Sequence, residues 1–271
     1  MLKQRVLTAL ILLPLALAGF FWLQGASFAL FIGAVVVVGA WEWARLAGWA
    51  GSGMRVAYAA LVAILLVLLY QAPSLAPVVL ILGVLWWGAA TFLVLSYPDS
   101  AHYWGGQAGR ALIGLLILLP AWQGLVMLKQ WPEANSLIIA VMVLVWAADI
   151  GAYFFGRALG KRKLAPRVSP GKSWEGFFGG MFVSLLITLI IALTRGWPSA
   201  AVLLAIVGAA LVVAISVVGD LTESMFKRQA GVKDSSNLLP GHGGVMDRID
   251  SLTSAVPVFA MLLLVAGWGS L

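Results

Sequence analysis

Apolar runs of membrane-spanning length follow one another along almost the whole of this sequence. A hydrophobic stretch of about 18–20 residues with few charges is long enough to cross a bilayer as a helix. Such runs lie at about 6–23, 26–46, 56–70, 77–95, 110–128, 135–155, 177–193, 200–218 and 256–268, nine in all, the third and last being short. Lipid offers no hydrogen bonds, so each run must satisfy its own backbone, and consecutive runs of this kind fold as packed helices. The expectation is an all-α, polytopic integral membrane protein. Of 271 residues, 62% are hydrophobic and 10% are charged, whereas about a quarter are charged in soluble domains. No soluble domain of credible length remains, so residues 1–271 are expected to form a single integral membrane domain. Lys3 and Arg5 ahead of the first run imitate a secretory signal. Pro14 interrupts the run and no small-residue cleavage site leads into a soluble part, so it is taken as a retained first span.

Charge in the connecting segments orients the spans. With the N-terminus in the cytoplasm, Lys129 and Arg195 alone of 17 basic residues fall on the far side, leaving fifteen inside. That asymmetry is a strong positive-inside signal. It also explains the net charge of +7 without nucleic acid, since basic residues at the cytoplasmic face meet anionic lipid and nucleotide phosphate. The absence of cysteine excludes disulfides, thiolate metal sites and cysteine nucleophiles. Tryptophans 22, 41, 43, 49, 86, 87, 131, 197 and 268 lie mostly near span ends and are expected to anchor at the interface. Gly39 and other glycines within spans are expected to permit close helix packing.

One stretch departs from this apolar background. Ser224–Asp250 holds Lys227, Arg228, Lys233, Asp234, His242, Asp247, Arg248 and Asp250 within 27 residues. Charge beside a bilayer is costly unless solvated, paired or bound to a ligand. Asp247 and Asp250 are three apart and share a helix face. A divalent cation would relieve their repulsion, and Mg²⁺ suits one or two carboxylates plus phosphate oxygens. Lys227, Arg228, Lys233 and Arg248 offer the donors a phosphate chain needs. Pro240-Gly-His-Gly-Gly244 lets backbone N–H groups approach an anion, with His242 a further donor. Upstream, Asp220, Ser224 and Lys227 fall on one helical face. The competing reading is a solvated loop with incidental ion pairs, which leaves so many charges of both signs unexplained.

The stretch resembles the signature of the phosphatidate cytidylyltransferases, the CDP-diacylglycerol synthases. The resemblance rests on Ser224, Lys227-Arg228, Lys233-Asp234, Ser236, Leu239-Pro240, His242-Gly243-Gly244 and Asp247-Arg248-Ile249-Asp250. It implies transfer of CMP from CTP to phosphatidic acid, giving CDP-diacylglycerol and pyrophosphate. It divides the chain into N-terminal spans over about 6–128 and a catalytic part over about 135–271. It also implies membrane-lipid contacts, a homodimer and a place in the bacterial inner membrane, and the charge asymmetry puts the stretch on the cytoplasmic face. Catalysis is assigned to Asp220, Lys227, Arg228, Asp247, Arg248 and Asp250. Ser224, Lys233, His242, Gly243 and Gly244 are assigned to the nucleotide. Mg²⁺ is assigned to Asp220, Asp247, Asp250 and Asp149, and the number of acids leaves room for a second cation.

A second polar cluster spans Gly156–Glu175. Gly171-Lys172-Ser173 suggests a Walker A loop, but Pro166 stands where that motif needs its first glycine. The family resemblance extends to Ser169-Pro-Gly-Lys-Ser-Trp-Glu-Gly176 and implies that Ser169, Lys172, Ser173 and Glu175 contact nucleotide or phosphate. Asp149 lies inside the sixth span, where an ionisable residue is a functional hypothesis by default. Glu42 and Arg45, three apart near a span end, are expected to pair locally, and His102 is expected at the surface. Two other functions use similar parts: a CTP-dependent lipid or polyprenol kinase, and a transporter coupled through Asp149. Transporters place charges at the midplane of paired repeats, whereas the charges here gather at one face.

Overall fold

Long apolar runs become long helices in the computed structural model, which describes residues 2–267. The helices are α1 (Leu2–Trp22), α2 (Gly25–Leu46), α3 (Ser52–Gln71), α4 (Ala76–Leu95), the short α5 (Ala101–Trp104), α6 (Gln107–Gln130) and α7 (Ala134–Leu159). A hairpin of β1 (Lys163–Ala165) and β2 (Ser169–Ser173) follows, then α8 (Trp174–Thr194), α9 (Ser199–Gln229) and α10 (Met246–Val265). Eight of these helices are long and apolar enough to cross a membrane, which makes the chain an all-α integral membrane protein. The described apolar part of α1, Leu10–Trp22, is shorter than a full span. Trp268, expected to close the last span, lies outside the described residues.

The helices are apolar on more than one face because the solvent outside is lipid. Ile64 and Leu68 of α3 and Phe182 and Leu193 of α8 point outward. α6 sits centrally, against α2, α4 and α10. With lipid outside, close backbone approach supplies much of the packing. The tightest pair is α7 with α8, where a Cβ at Gly180 would stand 2.3 Å from the Ala148 carbonyl oxygen. At Gly39, by contrast, a Cβ would meet nothing nearer than 3.6 Å. The packing role expected of Gly39 therefore belongs to other glycines.

Three expectations need correction. Trp43, Trp86 and Trp87 are buried rather than interfacial, whereas Trp22 and Trp197 are exposed. The Trp43 indole donates to the Arg110 carbonyl at 2.8 Å, and its ring lies 4.8 Å from that of Phe226. The segment at 156–175 is not simply a loop. Its hairpin is fastened to α8 through the Glu175 carboxylate, which accepts from the backbone N–H groups of Lys161 and Arg162. The last two helices also overrun their apolar cores. α9 continues past Val218 to Gln229, because Leu221, Met225 and Phe226 keep one side of it buried. α10 starts at Met246 rather than Val256. The polar stretch is therefore carried by two helix ends and the turn between them. β2, α8, α9, α10 and α2 meet there.

Candidate active site

Extension of α9 places Asp220, Glu223, Ser224 and Lys227 on successive turns. Lys172, on β2, reaches across to Asp220 with its Nζ 2.7 Å from Oδ2. Ser224 Oγ lies 3.4 Å from Asp220 Oδ1. Arg228 donates through Nε to the Val168 carbonyl at 3.3 Å, tying α9 to the hairpin. About two turns of the extended helix and a two-stranded hairpin thus hold one another.

Lys227 is largely buried and lies between two carboxylates. Its Nζ is 2.6 Å from Glu223 Oε2 and 2.6 Å from Asp247 Oδ1. Asp247 Oδ2 accepts from Ser235 N at 2.9 Å, Ser235 Oγ at 2.8 Å and Gly244 N at 2.8 Å. Three donors saturate that oxygen, whereas Oδ1 has one and keeps a lone pair. The Gly-His-Gly-Gly turn closes through Leu239 N on the Gly243 carbonyl and His242 N on the Leu239 carbonyl, both at 2.8 Å. Gly243 adopts φ 83°, where a side chain would be strained. A Cβ there would also stand 2.7 Å from Asp247 Oδ2. His242 Nδ1 is buried without a hydrogen-bond partner.

The carboxylates form a string rather than a single cluster. Asp220 acts electrostatically on both Asp149 of α7 and Asp250 of α10. Asp250 and Asp247 act on Glu223 in turn. Lys172 pairs with Asp220, and Lys227 with Glu223 and Asp247, so that among the described residues Asp149 and Asp250 have no ion-pair partner. Among the described residues no three acids or histidines already stand as a metal cage. The donors are hard oxygens, with a lone pair open on Asp247 Oδ1. Among the described residues Asp250 Oδ1 meets only the Ser251 N–H, at 2.7 Å. This donor set fits Mg²⁺, which takes one or two carboxylates and completes its shell with water and phosphate oxygens. Lys233 and Arg248 are exposed beside it.

Two of the expected phosphate contacts have other tasks. Ser173 is buried, and its hydroxyl caps α8 by accepting from Gly176 N at 3.1 Å. Glu175 is occupied by the hairpin backbone, and as an anion it would repel phosphate. Ser169 and Lys172 remain on the strand facing α9. Two buried carboxylates escaped sequence reasoning as site residues. Glu223 lay within the extended helix, and its spacing of four from Lys227 was the available signal. Glu42 was read as a partner of Arg45. It is instead fully buried and accepts from Ser236, Val245 and Met246, with the Ser235 hydroxyl alongside. His102 is exposed, as expected.

The sequence matches the cytidylyltransferase family over residues 3–266. It is 72% identical over 270 residues to a phosphatidate cytidylyltransferase of Pseudomonas aeruginosa, covering the whole of both chains. It is 43% identical to that of Haemophilus influenzae, over 96% of this chain and 98% of the relative. A third similar chain, from Brucella suis, is 37% identical over 94% of this chain and 90% of the relative.

Proposed function

The chain belongs to the cytidylyltransferase family, and from that premise we propose that it transfers CMP from CTP to phosphatidic acid, releasing pyrophosphate and CDP-diacylglycerol. The observation that carries the reading is full-length similarity to phosphatidate cytidylyltransferases. The carboxylate string beside exposed bases supplies chemistry suited to it. A phosphatidate phosphate oxygen is already a nucleophile, so no serine–histidine device is needed. It attacks the α-phosphorus of CTP. The bond from that phosphorus to the bridging oxygen breaks, and pyrophosphate leaves with the electron pair. Catalysis then reduces to alignment and charge neutralisation.

The residues divide that work. Lys233 and Arg248, with Arg228, hold the anionic oxygens of the triphosphate and the lipid head group. Lys172 and Ser224 orient Asp220. Lys227 fixes Asp247 against Glu223, Gly243 and Gly244 let the turn close on Asp247 and Glu42, and the His242 ring is left to meet phosphate. Mg²⁺ would be held by one or two of Asp220, Asp250 and Asp247 Oδ1, with Asp149 nearby and water and phosphate oxygens completing its shell, and would neutralise the departing pyrophosphate. The acyl chains stay in the bilayer while the head group meets CTP at the boundary. The expected orientation is site-inward in the bacterial inner membrane, where CTP is available. CTP labelled at the α- or γ-position tests the reaction. α-Label in CDP-diacylglycerol and γ-label in pyrophosphate are expected. γ-Label in a lipid product would make the chain a lipid kinase.

A further inference from the structure

We propose that Glu42 is a positioning residue for this reaction, acting on the Ser235–Asp247 turn from the other half of the chain. The proposal rests on the function proposed above, and it concerns a residue outside the signature stretch. Glu42 lies near the C-terminal end of α2 and is fully buried. No arginine or lysine forms an ion pair with it among the described residues. Three donors from the turn and from the start of α10 converge on its carboxylate instead, with the Ser235 hydroxyl alongside. Ser236 Oγ stands 2.5 Å from Oε1 and Val245 N 3.0 Å from the same oxygen. Met246 N is 2.7 Å from Oε2, and Ser235 Oγ is 3.2 Å from it.

The arrangement couples Glu42 to the reacting groups through the backbone at the start of α10. Ser235 Oγ lies between Glu42 Oε2 and Asp247 Oδ2, and a hydroxyl has one proton to give. Asp247 Oδ2 is nearer, so Ser235 orients Asp247 while Glu42 borders it from the opposite side. Val245 and Met246 carry free N–H groups at the start of α10. A carboxylate there satisfies them and suits the positive end of the helix. Fixing Met246 N fixes the first turn of α10, on which Asp247 and Asp250 stand. Gly244 makes room for this contact. A Cβ there would lie 2.5 Å from Glu42 Oε1 and 2.1 Å from Ser235 Oγ. Glutamine cannot replace the carboxylate, because in either orientation its NH₂ would face a backbone N–H, that of Val245 or that of Met246.

Glu42→Gln tests the proposal in the full-length protein in lipid nanodiscs, with two readouts. The first is hydrogen–deuterium exchange without substrate. Amides of 235–247 should exchange at least about tenfold faster, as expected for local opening, while those of α6 and α8 stay unchanged. The second is CDP-diacylglycerol formation. Since misplacement of about 1 Å costs roughly 10²-fold, kcat should fall by that order while KM for CTP moves less. Unchanged exchange in 235–247, acceleration spread across all helices, or kcat within about twofold of the parent protein, far from that loss, would each overturn the proposal. If Glu42→Gln does not insert, Ser236→Ala takes its place. It keeps Glu42 and removes one donor, so it should give the same confined acceleration with a smaller loss of kcat, and unchanged exchange there would again overturn it. Absence of CDP-diacylglycerol from the parent protein would refute the proposed function, and the exchange readout would then decide whether Glu42 holds the turn.

Discussion

Replacing Asp247 by Asn removes a charge and an acceptor together. Its new NH₂ would face either Lys227 Nζ or the three donors on Oδ2. Neither orientation is satisfied, and the lone pair left for Mg²⁺ carries less charge. Removing one preorganised electrostatic contact costs about 10²–10³ in rate, and Asp247→Asn should lose at least that much while remaining membrane-inserted. Asp220→Asn should behave similarly, because Lys172 would lose its carboxylate partner. Asp234→Asn, on an exposed side chain, should be milder. Glu133→Gln, exposed ahead of α7, should retain near-parental activity. CDP-diacylglycerol formation at matched protein levels checks all four. Chelation by EDTA should abolish turnover, with recovery on adding Mg²⁺, because carboxylate and triphosphate oxygens meeting at one site need a divalent cation between them. Persistent turnover in thoroughly chelated buffer would remove the metal from the mechanism. At this scale Asp247 was legible in the sequence because Asp-Arg-Ile-Asp is local and polar. Glu42 was not, because its donors come from Ser235 to Met246, far along the chain. Its near neighbour Arg45 offered a simpler partner but sends its guanidinium to the Ser235 carbonyl at 3.4 Å.

Helix α8 ties the hairpin to the bundle, and its seam with α7 is the element on which the Lys172–Asp220 contact depends. Gly179 and Gly180 face Phe155 and Ala148, with Gly151 opposite. A side chain at Gly180 must displace the Ala148 carbonyl, which is rigid helical backbone. Overpacking of this kind costs about 1–3 kcal/mol, so Gly180→Val should lower thermal stability in detergent. Activity should fall with it, because α7 carries Asp149 and β2 leads directly into α8. A Gly39→Ala protein, where a Cβ meets only ordinary contacts, should be close to the parent in both assays. The number of glycines in spans announced close packing, but the choice between Gly39 and Gly180 depends on helix rotation, which hydropathy does not encode. The ends of α9 and α10 were hidden for a related reason. Polar residues ended the apolar signal, while buried Phe226 and Met246 kept the helices going. The hairpin was hidden because Ser169-Pro-Gly-Lys-Ser173 has no alternation, and its two ends are clasped by the Glu175 carboxylate on the backbone of Lys161 and Arg162.

Across the whole molecule, the hairpin and the turn must share one membrane face. Lys172 joins Asp220 and Arg228 joins the Val168 carbonyl, so the 156–175 and 224–250 segments are bound together. α8 leaves that face at Trp174 and ends at Thr194, and α9 returns from Ser199. At about 1.5 Å per residue, a helix of 21 residues covers roughly the hydrocarbon thickness. Arg195 must then stand on the opposite side from both Lys163 and Lys233. The charge asymmetry read from the sequence gives the same arrangement and becomes sharper in the structure. Lys129, one of its two exceptions, is buried and donates to the Phe20 carbonyl at 2.6 Å and Asn135 Oδ1 at 2.7 Å. It is therefore internal architecture rather than an exposed loop charge, and Arg195 remains as the exposed exception. Since the sequence contains no cysteine, single substitutions Lys163→Cys, Arg195→Cys and Lys233→Cys give a clean labelling test. A membrane-impermeant thiol reagent applied from outside intact cells should modify position 195 alone, and permeabilisation should expose 163 and 233. Equal labelling of 195 and 233 from outside would contradict the arrangement. Labelling of 163 but not 233 would contradict the hairpin contact itself, because the Lys172–Asp220 pair cannot form across a bilayer.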